Sequence, residues 1–214
     1  MKTFLVIGVG SYGYHLIRSL SEQRCEILVA DRDEKRLEQV LPWATSAKIA
    51  DCTNADVLAS FDVDSFDACF VCVDSDFVAA LEITCLLKDL GAKMIYSCAD
   101  HDLQARLLSR NGADAIIYPE KDMARRMALN VSSENIFDSF ELAEDFYIFE
   151  IAVQKEWIGK TLKELNFRAR FSLNVLAGKE NGRVIPINSP DYIFRENTRV
   201  LVMGKRESIQ NVID

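Results

Sequence analysis

The sequence predicts an α/β protein, a doubly wound parallel sheet followed by a second, small α+β domain. Three observations predict it. Short apolar runs alternate with helical periodicities from Lys2 to Tyr118, the pattern of strands joined by crossover helices. A glycine loop, GVGSYG at residues 8–13, joins the first apolar run to the first helix. From residue 142 the period changes, and Asn181–Gly182 between two apolar runs is a strong hairpin signal.

The first strand is the apolar, β-branched run at 3–7. Leu16, Ile17 and Leu20 then recur at helical spacing, giving a helix at 12–23. A turn of this kind gives each glycine a task. Gly8 allows the sharp turn, Gly10 lets backbone approach phosphates, and Gly13 lets helix pack on strand. The helix N-terminus offers N–H groups and a partial positive charge to an anion. Ser11 and Tyr12 belong to the same phosphate loop. Taken alone, the loop also fits a generic α/β turn without ligand.

The strand at 26–30 delivers Asp31, whose carboxylate can accept hydrogen bonds from both ribose hydroxyls and repels a 2′-phosphate. Arg32 beside it could neutralise such a phosphate. After a helix at 33–41 and a strand at 46–50, Asp51, Cys52 and Thr53 can reach an adenine edge. A helix at 54–60 and a strand at 68–73 lead to Asp74, Ser75 and Asp76. Asp74 and Ser75 are assigned to the ligand, Asp76 to capping the helix at 76–89. A strand at 93–98 ends in Cys98, and a helix at 101–110 and a strand at 114–118 complete the sheet. Gly91 and Gly112 read as C-terminal caps of the preceding helices. Ligands on such sheets bind at the carboxyl ends of strands, near the switch in strand order.

Pro119–Glu120 opens a helix over 120–132, with Met123, Met127 and Leu129 at apolar positions. It lies beyond a complete sheet, so its apolar face requires another partner and the protein is expected to be an obligate oligomer. Residues 133–141 read as a connector, which sets the domains at 1–135 and 142–214. In the second domain, strands are predicted at 146–153, 172–178, 183–187 and 199–204, and helices at 161–165 and 208–213.

Composition narrows the function. The 214 residues are 49% hydrophobic and 27% charged, which is globular rather than disordered. The net charge of −8 disfavours a nucleic-acid partner. No apolar run approaches the roughly 18 residues of a membrane span. Lys2 and the apolar run after it imitate a signal peptide, but that reading would discard the first strand and the glycine loop. The cysteines fall within apolar strand and helix patterns, as free, reduced, structural residues of a cytoplasmic protein do. Cys69 and Cys72 would point to opposite faces of one strand, so they form no metal pair.

A dehydrogenase needs an acid or base beside the nicotinamide, usually on its second domain. The second domain contains neither histidine nor cysteine, and no tyrosine is followed four positions later by lysine. His15 and His101 read as residues of a helix surface and a helix start. No catalytic residue is assigned; an NAD-dependent oxidoreductase is the alternative reading.

GVGSYG, Asp31 closing the second strand, IADCT after the third, GADAIIYPEKDMARRMA at 112–128 and KTLKELNFRARFSLNVLA at 160–177 together resemble the RCK proteins. In particular they resemble the cytosolic regulatory subunits of Trk/Ktr potassium uptake systems, over nearly the whole chain. The resemblance implies a Rossmann-like nucleotide-binding domain and a small C-terminal ligand and dimerisation domain. It implies homodimers assembled into an octameric ring, peripheral on the inner face of the membrane, under a potassium channel or transporter subunit. Helix 120–132 would be the intersubunit crossover. Exchange among NAD(H), ADP and ATP would gate the transporter.

Glu120 matches an acid that in some members helps hold Mg or Ca at the nucleotide phosphates, and a carboxylate near phosphates is repulsive unless a cation intervenes. Members that grip a triphosphate often carry arginine after the second loop glycine and a base near the end of the fifth strand. Ser11 and Cys98 stand there instead, which favours NAD(H) or ADP over ATP. Gram-positive relatives bind cyclic di-AMP through an arginine, an asparagine and the apolar residue after it, a pattern that Arg168, Asn174 and Val175 match. A regulator of potassium efflux fits the same resemblance.

Overall fold

The computed structural model describes every residue except Ser75 and Asp214, so the contact expected at Ser75 lies outside the described residues. The chain divides into two units, Met1–Lys121 and Asp122–Asp214.

In the first unit the chain runs β1 (Lys2–Ile7), α1 (Ser11–Ser21), β2 (Cys25–Asp31), α2 (Glu34–Val40), β3 (Ser46–Ile49) and α3 (Ala55–Ala59). It continues through β4 (Ala68–Val71), α4 (Phe77–Asp89), β5 (Ile95–Cys98), α5 (Asp102–Arg110) and β6 (Ala115–Ile117). The strands are parallel, in the order β3-β2-β1-β4-β5-β6. β1 alternates its side chains between two cores. Leu5 and Ile7 pack with Val71, Ile83 and Leu87, whereas Val6 packs with Ile17, Val29 and Leu37. Both faces are therefore covered by helices, which is why the central strands β1, β2 and β4 carry apolar runs without polar alternation. The chain crosses from β3 back to β4 at the far side of β1, and this reversal opens a crevice at the carboxyl ends. Asn54 caps α3 through the N–H groups of Asp56 and Val57, and Asp76 caps α4 through that of Ala79. Gly91, at φ +79°, ends α4 in a left-handed conformation that other residues rarely adopt.

The boundary between the units falls inside α6 (Pro119–Val131). In the second unit follow β7 (Ile136–Ala143), β8 (Phe146–Ala152), α7 (Leu162–Leu165), α8 (Phe167–Phe171), β9 (Asn174–Glu180), β10 (Arg183–Pro186), β11 (Arg199–Lys205) and α9 (Arg206–Ile213). The strands form an antiparallel sheet in the order β10-β9-β11-β8-β7. Trp157, Phe149, Phe167 and Phe194 fill its core, with Trp157 set edge-on to Phe167 at 4.7 Å between centroids. Asn181 and Gly182 take φ of 48° and 78° at the β9–β10 turn, the left-handed pair that a two-residue hairpin requires.

β7 corrects the expectation of a connector at 133–141. It is a strand at the sheet edge, paired with β8, with Ile136 in the core and Asp138 and Ser139 bonded to α6. Asp138 accepts three bonds from Arg126 at 2.8–3.0 Å, and Ser139 is buried and donates to Asn130 at 2.8 Å. The Arg126 guanidinium holds the Asp138 carboxyl below its usual value against the opposing effect of burial. Leu129 enters the same core. Residues 122–135, which the sequence reading groups with the first domain, thus pack on the second unit's own sheet.

Glu150 is a buried carboxylate of β8. Burial raises its pKa, but the cations of Lys179 at 2.7 Å and Arg199 at 2.9 Å outweigh that and lower it. Among the described residues no helix is long and apolar enough to cross a membrane.

Candidate functional site

β1 ends at Ile7 and α1 starts at Ser11, so three residues make the turn. Gly8 sits at φ +93°, and a Cβ there would meet the Cys72 carbonyl oxygen at 2.7 Å. A Cβ on Gly13 would lie 2.3 Å from the Gly8 carbonyl oxygen. The first turn of α1 is thereby pressed against the loop, and its N–H groups are brought to the carboxyl edge of the sheet. Gly10 is the N-cap and offers no side chain of its own.

Asp31 ends β2 and is 8% exposed. Its Oδ2 accepts from the Val9 N–H at 2.7 Å and its Oδ1 from the Asp33 N–H at 2.8 Å. These bonds tie the glycine loop to the end of β2. A carboxylate has about four acceptor positions, so capacity is left for ribose hydroxyls. Beyond β3, the Asp51 carboxylate accepts from the Thr53 hydroxyl at 2.7 Å and its N–H at 3.1 Å. The hydroxyl first, then the N–H and the field of Arg32, hold Asp51 below its ordinary pKa. Burial pushes the Cys52 thiol up to about 12, which leaves a small hydrophobe and no nucleophile.

Gly8, Asp31, Arg32, Asp51, Cys52, Thr53 and Asp74 line one cavity of about 200 Å³ at the switch between β1 and β4. A smaller hollow of about 50 Å³ is lined by Ser11, Tyr12, Asp74, Cys98 and Glu120. Asp74 belongs to both. Its Oδ2 accepts from the Ser11 N–H at 3.1 Å, and Arg36 Nη1 stands 3.8 Å from its Oδ1. Gly10 and Ser11 also border a shallower groove with Arg36 and Asp74. Among the described residues no three His, Cys, Asp or Glu side chains are gathered to hold a metal ion by themselves.

In the second unit Arg168 Nε donates to Asn174 Oδ1 at 2.8 Å, and Val175 is half-buried against the core. The three residues expected to act together are adjacent.

Residues 4–119 match the TrkA-N domain and residues 146–214 the TrkA-C domain. The chain belongs to the TrkA-N/TrkA-C family of RCK proteins. It is 34% identical to the Ktr system potassium uptake protein C of Bacillus subtilis (strain 168), covering 95% of this chain and 92% of that one. It is 31% identical to the Ktr system potassium uptake protein A of the same organism, covering 98% and 94%. The solved GsuK channel bound to NAD shares the fold, with a TM-score of 0.68 at 17% identity over 97% of this chain and 38% of that one.

Arg36 is the crevice residue of this RCK chain that sequence reading missed. It projects from the first turns of α2 to Asp74, on the far side of the crevice. Arg32, named for standing next to Asp31, lines the cavity and lies 3.9 Å from Asp76. Local spacing gives no signal for Arg36, because it meets Asp74 only through the packing of β2, β1 and β4 side by side.

Proposed function

We propose that this RCK chain is a nucleotide-sensing regulatory subunit of a membrane potassium transport system. One observation carries the reading. The glycine loop, Asp31 and the Asp51–Thr53 edge surround one crevice at the strand-order switch, in a chain whose full-length relatives include the Ktr system potassium uptake proteins. The adenine lies by Asp51, Cys52 and Thr53, the ribose on Asp31 and the phosphates at Gly10–Gly13. NAD(H) or ADP fits ahead of ATP, because Ser11 and Cys98 supply no cation to a third phosphate. Glu120, exposed and lining the same hollow as Ser11, would share a divalent ion with bound phosphates. The crevice is lined by carboxylates, the Arg32 and Arg36 guanidiniums, Thr53 and the protonated Cys52 thiol, a set that suits holding a nucleotide rather than turning it over.

The protein works as a cytoplasmic homo-oligomer, dimers in an octameric ring, peripheral to its membrane partner. Met123, Met127 and Val131 support this, since they form one stripe of α6 and remain 54–73% exposed. The first unit reads the nucleotide, and the second unit carries the dimer contacts. The test is potassium flux in vesicles holding a Ktr-type membrane subunit. Adding this chain should make uptake depend on whether NADH, ADP or ATP is present. Identical uptake with and without the chain in all three nucleotides would refute the assignment.

A second ligand is specifically supported by the Arg168–Asn174 contact. A symmetric dianion such as cyclic di-AMP suits two copies of Arg168 across a two-fold axis. Titrating the full chain with cyclic di-AMP should show saturable binding that Arg168→Ala weakens by about tenfold or more, as loss of a charge-assisted contact does. Binding indifferent to that substitution removes the second site.

A further inference from the structure

We infer that Asp74 is an internal occupant of the phosphate position, an anion of the protein's own that a nucleotide must displace. The inference rests on the nucleotide reading above and changes the part assigned to Asp74, from a group that holds the ligand to one that competes with it.

The geometry is specific. The Ser11 N–H, the first of α1, is what a phosphate oxygen would meet at this loop, and it already donates to Asp74 Oδ2 at 3.1 Å. Gly10 leaves an empty volume over the loop because it lacks a side chain. That volume holds the Asp74 carboxylate: a Cβ on Gly10 would fall 1.5 Å from Oδ1 and 2.2 Å from Cγ. The hollow that lets backbone approach a phosphate is thus filled by a carboxylate from the end of β4. Arg36 stands 3.8 Å from Oδ1 and 3.9 Å from Asp33, a cation at the same spot. The Asp74 side chain is 46% exposed, so it can turn out to water without unpacking the core.

Three consequences follow from charge. A phosphate at the loop loses the Ser11 N–H to a competitor until Asp74 leaves. Once displaced, Asp74 still borders both hollows and repels the incoming anion. The penalty grows with ligand charge, so Asp74 discriminates against ADP, whose terminal phosphate carries a second charge, relative to the singly charged phosphates of NADH. Asp74 is a specificity-determining residue that sets the threshold for each nucleotide.

Asp74→Asn keeps the size and the acceptor for Ser11 while removing the charge. Calorimetric titration of the full chain with ADP and with NADH at low salt compares it with the unsubstituted protein. Asp89→Asn, an exposed acid at the end of α4, serves as a control of equal net charge. We expect Asp74→Asn to bind ADP about tenfold more tightly or better, one repulsive charge removed, with a smaller gain for NADH. Asp89→Asn should leave both unchanged. Binding by Asp74→Asn but not by the unsubstituted chain is the same result in stronger form. Equal or weaker binding by Asp74→Asn, or an equal gain from Asp89→Asn, overturns the inference. Absence of binding in every protein removes the nucleotide reading itself, and this inference with it.

Discussion

Gly13→Ala is expected to abolish detectable nucleotide binding and to destabilise the first unit by about 3 kcal/mol, the upper end for overpacking a tight site. The added Cβ would stand 2.3 Å from the Gly8 carbonyl oxygen and 3.0 Å from the Cys72 Cβ. Neither neighbour is the loose end of a flexible side chain. Relief requires α1 to move off β1, and that movement takes the phosphate loop with it. Denaturant unfolding measures the first effect and calorimetry the second. Gly10→Ala is a useful contrast: its Cβ meets the Asp74 carboxylate, an exposed side chain that can swing away. A Gly13→Ala protein as stable and as active in binding as the original would show that α1 does not sit where the loop argument needs it.

The second large effect is at Asp31. Asp31→Ala removes the acceptor of two backbone N–H groups, Val9 at 2.7 Å and Asp33 at 2.8 Å, as well as the proposed ribose contact. Each lost bond to a charged acceptor is worth roughly 1.5–3 kcal/mol. Affinity for NADH or ADP should therefore drop by about one to two orders of magnitude. Unchanged affinity in a calorimetric titration removes Asp31 from the ribose.

The sheet of the first unit could be read from sequence because β1, β2 and β4 are buried on both faces and carry continuous apolar runs. The glycine loop and Asp31 were legible for a related reason, since each sits where such a run stops. β7 was not legible. Its buried Ile136 is followed by a bulge and then by Asp138 and Ser139, which Arg126 and Asn130 of α6 satisfy, so no regular apolar period marks the strand. α8 was missed because FRARF alternates apolar with charged residues at the period of a strand, between left-handed Asn166 and Ser172. In the site, the position of Asp74 on the first turn of α1 joins residues 63 apart. Local pattern places Asp74 at the end of a strand, and only the packing of β4 beside β1 brings its carboxylate over Gly10. Arg168 and Asn174 were readable as a pair only through the family resemblance; their hydrogen bond depends on how α8 folds back on β9.

We propose that the crevice between the glycine loop, Asp31 and Asp51–Thr53 holds an adenine nucleotide. The most direct test is calorimetric titration of the full chain, first stripped of any bound nucleotide, with NADH, ADP and ATP in turn, alongside Asp31→Ala. Saturable binding of one nucleotide per chain is expected, weaker for ATP and strongly reduced in Asp31→Ala. Heats that never saturate with any of the three, or a saturable site that Asp31→Ala leaves intact, would contradict the proposal.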